Sequence, residues 1–349
     1  MEQPLLSLIA GAFISLLLGY PSYLLAKRLH LMDVPGSAPH KTHARPTPLA
    51  GGILLTLTFF SMALLFRQWV NTEIKAVLAG SVVIFIFGLW DDRMGLSAAP
   101  KLLGQLTAAA VLIAGGVQVY FMTILSDAGY ITPALAQALN IFITLFWVTG
   151  ITNALNLIDS MDGIAAGLGV IAAGFFAGAA QFAGQTEVAF WAALLCGVSL
   201  GLYYWNKTAS KFFLGDSGAQ TLGFLLASMG ILYNPLERNP VSSWIVPIML
   251  LAVPIFDTSL VVLSRLKRNQ PVGTGRRDHT YHRLTAMGLS PHNAVLTTHA
   301  AALTVGGLAF LSLYLPPLLA LTLFLVSLVG GLFLLLWLER KPTLDDSEQ

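Results

Sequence analysis

Charge is scarce in this sequence. Asp, Glu, Lys and Arg make up only 10% of its 349 residues, whereas a soluble globular chain carries about a quarter. With 56% hydrophobic residues, there is too little polar surface for a water-soluble particle, and a bilayer is the solvent that fits. Cysteine is nearly absent too. The lone Cys196, inside an apolar run, excludes an internal disulfide framework and every multi-cysteine zinc or iron–sulfur site. A large charge of either sign is also missing: the formal net charge of +2 leaves no global footprint for nucleic acid, so the placement of the 19 Lys and Arg becomes informative. Disorder is excluded by the same hydrophobic content.

What the chain has is long apolar runs. A hydrocarbon core about 30 Å thick needs roughly 20 apolar residues in a helix. Eleven runs qualify, near residues 5–26, 48–66, 73–90, 102–121, 134–152, 163–182, 187–205, 219–233, 243–266, 293–314 and 316–338. The predicted fold is therefore all-α, a polytopic membrane protein with about eleven transmembrane helices forming one domain over 1–349. Residues 339–349 form a short polar tail. Glu2 stands where a secretory signal wants a basic start, and Pro21 and Tyr23 where it wants small cleavage residues, so the first run is read as a retained helix. Threading eleven helices puts sixteen Lys and Arg on one side and Arg67, Lys75 and Arg238 on the other. That bias predicts an N-terminus outside and a C-terminus in the cytoplasm, in the cell's inner (plasma) membrane. No convincing internal repeat is visible, which weakens an inverted-repeat transporter reading.

The polar chemistry collects in the loops assigned to the cytoplasmic side. Asp91 and Asp92 close the third run. Negative charge at a helix C-terminus opposes the macrodipole, so the pair calls for a cation, either a metal or Lys101, unless it is simply a solvated helix end. Lys101 follows Pro100 at the start of the fourth run, with Gln105 one turn on. Asn153, Asn156, Asp159 and Asp162 recur every three residues, a polar stripe if that stretch is helical; helix capping is the alternative. Phe213-Leu214-Gly215-Asp216-Ser217-Gly218 combines a carboxylate, a hydroxyl and two glycines at a helix start, suited to a metal-bridged phosphate or to an ordinary capped turn.

Two basic segments join them. Arg276, Arg277, His279, His282 and Arg283 lie beside flexible glycines, and His40, Lys41, His43 and Arg45 precede Pro46-Thr47-Pro48-Leu49-Ala50-Gly51-Gly52. Guanidinium groups bind phosphate oxygens in pairs, so these are candidate diphosphate contacts; anionic lipid or the positive-inside bias explains the arginines equally, but not the histidines. Carboxylate-rich surroundings suit Mg²⁺ better than zinc. Asp257 lies inside the ninth run and is a functional candidate by position: a proton-coupling group in a transporter, or a group tipped toward the cytoplasmic cleft by a bend at Pro254. His299, in the tenth run, reads as a hydrogen-bonded packing residue.

Taken in order, Asp-Asp-Arg-Met-Gly-Leu with Lys101 and Gln105, then Asn-Ala-Leu-Asn-Leu-Ile-Asp-Ser-Met-Asp-Gly, Phe-Leu-Gly-Asp-Ser-Gly and His-Thr-Tyr-His-Arg-Leu resemble the motifs of the polyprenyl-phosphate N-acetylhexosamine-1-phosphate transferases. The likeness spans essentially the whole chain. It implies Mg²⁺, with Mn²⁺ as an alternative, at Asp216 with Asn156 as a second contributor. It implies Asp91 and Asp92 as catalytic groups beside a lipid phosphate, Lys101 on phosphate, and Asp159 and Asp162 serving nucleotide or metal. Asn153, Arg277, His279, His282, Arg283, Lys41 and His43 complete the expected substrate contacts, the segment from His279 to Arg283 closing over a sugar nucleotide. Tyr281 departs from the family's third histidine and cannot become cationic near neutral pH.

The reaction this implies is attack by a polyprenyl phosphate on the sugar-linked phosphorus of a UDP-N-acetylhexosamine, GlcNAc being the expected sugar, with release of UMP. Both partners are anionic, so catalysis should rest on charge neutralisation and in-line positioning. A phosphate monoester with its second pKa near about 6 is already largely dianionic at neutral pH, so no general base is demanded; a phospho-aspartate intermediate is an open alternative. The expected partners are the lipid, the sugar nucleotide and the membrane, with a homodimer left open. The rival class is a proton- or cation-coupled transporter centred on Asp257. A nonenzymatic lipid binder is disfavoured by the carboxylate clusters.

Overall fold

The computed structural model describes residues 2–35, 45–66, 71–208, 210–235, 241–271 and 277–343. Every one of the eleven apolar runs falls on a helix or a bent helix pair: α1 (Glu2–Arg28), α2 (Gly51–Leu65), α3 (Thr72–Met94), α4 (Ala98–Ala114), α6 (Pro133–Ile158), α7 (Ile164–Phe182), α8 (Thr186–Tyr203), α9 (Gly215–Leu232), the pair α10 (Ser242–Leu250) and α11 (Ala252–Lys267), α13 (Pro291–Ser312) and α14 (Pro317–Glu339). Among the described residues, seven helices are long and apolar enough to cross a membrane, or eight with the bent pair counted as one span. The helices α2 and α4 are shorter, and α9 carries Asp216 and Gln220 in its first turns. Two short helices, α5 (Thr123–Asp127) and α12 (Thr280–Ala286), lie outside the runs. The chain is an all-α polytopic membrane protein.

Helix ends follow local chemistry. Asn71 accepts the Glu73 N–H to start α3, and Thr132 and Ser290 cap α6 and α13, each with proline at the first helical position. Gly95, at φ 64°, ends α3 in the left-handed conformation, its N–H returning to the Asp91 carbonyl. This bears on two expectations. Asp91 and Asp92 lie in the last turn of α3, the helix end expected of them, whereas Asn153 and Asn156 lie on α6 rather than in the connection between helices.

The two tiny strands β1 (Met32–Asp33) and β2 (Thr47–Pro48) pair antiparallel, and Leu49 bridges in parallel to Phe213. α9 is the central helix: every residue from Ser217 to Gly230 is buried, and it packs on α2, α3 and α6. The ninth run breaks by 65° between α10 and α11, at Leu251. Pro254 three residues later has no N–H for the Leu250 carbonyl, so the ladder is already open there. His299 is buried, its Nε2 3.2 Å from the Ile164 carbonyl, the packing role expected.

Candidate active site

The end of α3 sends two adjacent carboxylates to different partners. Asp91 is 4% exposed; its Oδ1 accepts the Leu96 N–H at 2.8 Å and its Oδ2 lies 2.5 Å from Lys101 Nζ. The cation demanded by an acid at a helix C-terminus is thus Lys101. Asp92 instead reaches the start of α9. Its Oδ1 accepts the Asp216 N–H at 2.6 Å, and its Oδ2 accepts the Ser217 N–H at 3.2 Å and the Ser217 hydroxyl at 2.5 Å. One carboxylate thereby caps a helix N-terminus, where the dipole favours it. Gly215 makes room: it adopts φ +73°, and a Cβ there would lie 2.8 Å from Asp92 Oδ1. Gly88 is needed one turn earlier, since a Cβ would collide with the Ser217 backbone.

Asp216 is the meeting point. Its Oδ1 accepts from Asn156 Nδ2 at 2.8 Å and lies 3.4 Å from Lys101 Nζ. Beneath it, Asn153 and Gln105 exchange reciprocal amide hydrogen bonds of 2.7 and 3.0 Å, and Gln105 also donates to Gln220, joining α4, α6 and α9. The turn before Asp216 is held from a distant part of the chain: Phe213 N–H donates to the Pro48 carbonyl, while Ala50 and Gly51 donate to the Phe213 carbonyl. The Pro-Thr-Pro-Leu-Ala-Gly-Gly segment therefore braces the Asp216 turn. Lys41 and His43, expected to bind substrate, lie outside the described residues.

Asp159 and Asp162 follow α6 in the loop to α7. Burial pushes the Asp159 carboxyl well above the ordinary range, and the Asp162, Asp216 and Asp92 carboxylates add to it. Acids from three separate motifs thus share one electrostatic neighbourhood. The residue that ties this loop to α9 escaped the sequence reading. Asn206, buried on a π-helical turn (Tyr204–Thr208), accepts the Gly163 N–H at 2.6 Å and donates to the Phe212 carbonyl at 3.2 Å. A π turn is a recurrent mark of functional sites, but it has no sequence signature.

The basic segment is ordered by ion pairs. Arg265 of α11 grips Asp278 with two bonds of 2.8 and 2.9 Å. Burial alone would raise the Asp278 carboxyl, and the guanidinium overrides it and holds it below the ordinary range. His279 Nδ1 lies 2.8 Å from Asp257 Oδ2, and Thr280 N–H donates to Asp257 Oδ1 at 2.7 Å. Burial, then the neighbouring His279, pulls His282 down to about 3, so His282 offers a hydrogen bond and no charge. Burial likewise drives the Tyr281 phenol up, beside Asp257, Asp159 and Arg277, which joins this segment to the acidic loop. Arg283 turns into the protein. Fully buried, it donates to the carbonyls of Leu338, Glu339 and Lys341 and to Ser264 Oγ, fastening the end of α14. The expectation that it binds substrate gives way to an anchoring role, because its donors are already committed to the protein.

The donor set bears on a metal. Among the described residues no three His, Cys, Asp or Glu side chains cluster closely enough to cage an ion. Asp216 takes its described hydrogen bonds on Oδ1 alone, leaving Oδ2 for a cation, and a half-turn of the Asn156 amide would present a second oxygen. One carboxylate with one amide suits Mg²⁺, which keeps waters and takes its remaining ligands from phosphates. A separate cavity of about 570 Å³, walled by Trp147, Tyr233, Trp244 and Pro247, is apolar; along α6, Trp147 stands about 14 Å from Asn156. It is a poor place for anionic reactants.

Residues 74–234 match the glycosyl transferase family 4 model, a stretch holding Asp91, Asp92, Lys101, Asn156, Asp159 and Asp216 but ending before Asp257 and His279. The chain is 30% identical over 280 residues to a probable undecaprenyl-phosphate N-acetylglucosaminyl 1-phosphate transferase of Bacillus subtilis (strain 168), covering 79% of this chain and 75% of that protein. It is 32% identical over 316 residues to a decaprenyl-phosphate N-acetylglucosaminephosphotransferase of Mycobacterium tuberculosis, covering 83% and 77%. It is 29% identical over 314 residues to an undecaprenyl-phosphate alpha-N-acetylglucosaminyl 1-phosphate transferase of Escherichia coli K12, covering 86% and 83%.

Proposed function

The chain belongs to glycosyl transferase family 4, among the polyprenyl-phosphate N-acetylglucosamine-1-phosphate transferases, and from that premise we propose that it moves GlcNAc-1-phosphate from UDP-GlcNAc to a polyprenyl phosphate, releasing UMP. The observation that carries this reading is the junction at Asp216, where Asp91, Asp92, Lys101 and Asn156 from three other helices meet. Binding an anionic lipid alone needs cations; a cluster of acids around one lysine suits a reaction that assembles positive charge between two anions.

In this scheme Lys101 exchanges its carboxylate partners for a phosphate oxygen, drawing the lipid headgroup to the end of α3. Asp91, released from Lys101, is the group nearest that phosphate and takes any proton it still carries. Asp92 fixes the turn that presents Asp216. Asp216 and Asn156 would hold Mg²⁺, which when bound neutralises the diphosphate and stabilises the charge that develops on the leaving UMP. Asp159, favoured in its protonated form, is able to donate to the nucleotide, and Arg277 and His279 meet the donor from the other wall. We place the site on the cytoplasmic side of the inner membrane, with the N-terminus outside, on the sixteen-to-three split of Lys and Arg across the eleven runs.

The test is purified protein in detergent with Mg²⁺, a polyprenyl phosphate and a panel of UDP-sugars, scored by UMP release. Transfer from UDP-GlcNAc is expected, with reversal by added UMP because one phosphoanhydride is broken and another made. Release of UMP without a lipid-linked product, or no reversal at any UMP ratio, would defeat the scheme. Asp257, the centre of the transporter alternative, has both its oxygens engaged by His279 and Thr280, and nothing favours that alternative.

A further inference from the structure

We propose that Asp257 is a positioning residue that sets His279 against the sugar nucleotide, an inference that rests on the transferase reading of the same site. Asp257 sits in α11 just past the 65° break and is 1% exposed. A carboxylate so deep is costly unless each oxygen is satisfied, and both are, by one short segment. Oδ1 accepts the Thr280 N–H, closing the first turn of α12, and Oδ2 faces His279 Nδ1 at 2.8 Å.

The chemistry of the second contact is directional. A carboxylate only accepts, so Nδ1 must carry a proton, and the ring's remaining chemistry is confined to Nε2 on its far side. No described residue hydrogen-bonds to that nitrogen. The ring cannot pivot freely: it stacks on Tyr281 at 6.1 Å between centroids, with His282 at 5.7 Å. The next residue back, Asp278, is pinned by Arg265 of the same helix. Two acids and one arginine therefore fix the orientation of one imidazole, and its Nε2 can donate to a phosphate oxygen only when both ring nitrogens carry a proton. The structure assigns Nε2 of His279 to a phosphate oxygen of the nucleotide and Asp257 to aiming it, which explains an intramembrane acid without any transport role.

A double-variant comparison tests this. Asp257→Asn, His279→Ala and the double variant are compared for the KM of UDP-GlcNAc, the KM of polyprenyl phosphate and direct affinity for UDP. Each single change should weaken the nucleotide about tenfold, the loss of one charge-assisted contact. The lipid KM should stay within about twofold, and the double variant should be no worse than His279→Ala, since the two residues act as one unit. Additive losses, or a lipid KM that moves as far as the nucleotide KM, would overturn the proposal in favour of a purely architectural Asp257. If Asp257→Asn does not accumulate folded, His279→Asn decides. Its amide nitrogen replaces Nδ1 and keeps the bond to Asp257 but leaves nothing at Nε2, so wild-type nucleotide affinity in that variant refutes the assignment. UDP affinity needs no turnover. A wild-type protein that binds UDP with this variant pattern yet transfers nothing would sink the transferase reading alone, and one that does not bind UDP would sink both.

Discussion

Replacing Asp92 with asparagine separates two roles that adjacent acids usually confuse. In the wild-type protein its two oxygens accept three hydrogen bonds, two from backbone N–H groups at the start of α9 and one from the Ser217 hydroxyl. Asparagine keeps one acceptor and turns an NH₂ toward the other side. If its oxygen takes the Asp216 N–H, the Ser217 hydroxyl can rotate to accept from the amide, but the Ser217 N–H then faces a donor. One charge-assisted bond is lost, worth about 2 kcal/mol, and one buried N–H is stranded, worth about 1 kcal/mol or more. For a chain of 349 residues, with an unfolding entropy of about 2.1 cal/mol/K per residue, a loss of about 3 kcal/mol lowers the melting temperature by about 4 °C. Asp216 would shift with the turn, so activity should fall at least about a hundredfold. The assay pairs thermal unfolding in detergent with UMP release. An Asp92→Asn protein as stable as wild type but inactive would refute the capping argument and make Asp92 a direct participant in the chemistry.

Lys101→Met should lower activity by more than about a hundredfold, raising the KM for polyprenyl phosphate more than that for the nucleotide, as steady-state kinetics with each substrate varied will show. Asp216→Asn should abolish the response to Mg²⁺, read as UMP release across a metal titration; a variant with the wild-type metal dependence places the ion elsewhere. Asp159 gives a pH signature. Its folded carboxyl titrates well above the ordinary value, so its favourable contribution is complete at low pH and is lost as pH rises from about 4 toward the folded pKa, by at most about 1.4 kcal/mol per pH unit. Asp159→Asn should therefore gain stability relative to wild type on going from pH 4 to pH 8 without ligands, measured by thermal unfolding; parallel pH curves would count against an acid-crowded Asp159. Arg283→Met should destabilise the protein by leaving three carbonyls of the α14 end and Ser264 without their donor, while the surviving folded fraction keeps its substrate KM values.

The helices were legible because apolar length is a one-dimensional signal: each run falls on its helix, although α4 stops seven residues before the run's end and α6 continues six residues past it. Their ends were less so. Asn153 and Asn156 look like loop residues by polarity, yet the helix stop is set by Asp159, whose ψ of 60° leaves the helical range. The expected stripe of four polar residues accordingly breaks after Asn156. The identity of the acids was readable, but their division of labour was not. Nothing in an Asp-Asp pair says that one member holds a lysine ten residues on and the other caps a helix 124 residues away. Asn206 was invisible for the same reason, since its function lies in two backbone groups supplied by different loops. An arginine in a basic loop looks like a ligand contact, but the donors of Arg283 go to the end of α14, to Ser264 and to the Asp278 carbonyl.

The long-range cap on α9 has a consequence for biosynthesis. The ion pair of Asp91 with Lys101 closes over ten residues, whereas Asp92 precedes the backbone it holds by 124 residues. A chain that ends before α9 therefore lacks both the backbone that Asp92 holds and the Asp216 carboxylate around which the acids gather. Ribosome-bound chains arrested ahead of α9 should be inert, and the arrival of that helix marks the earliest moment at which the acidic cluster around Asp216 can come together.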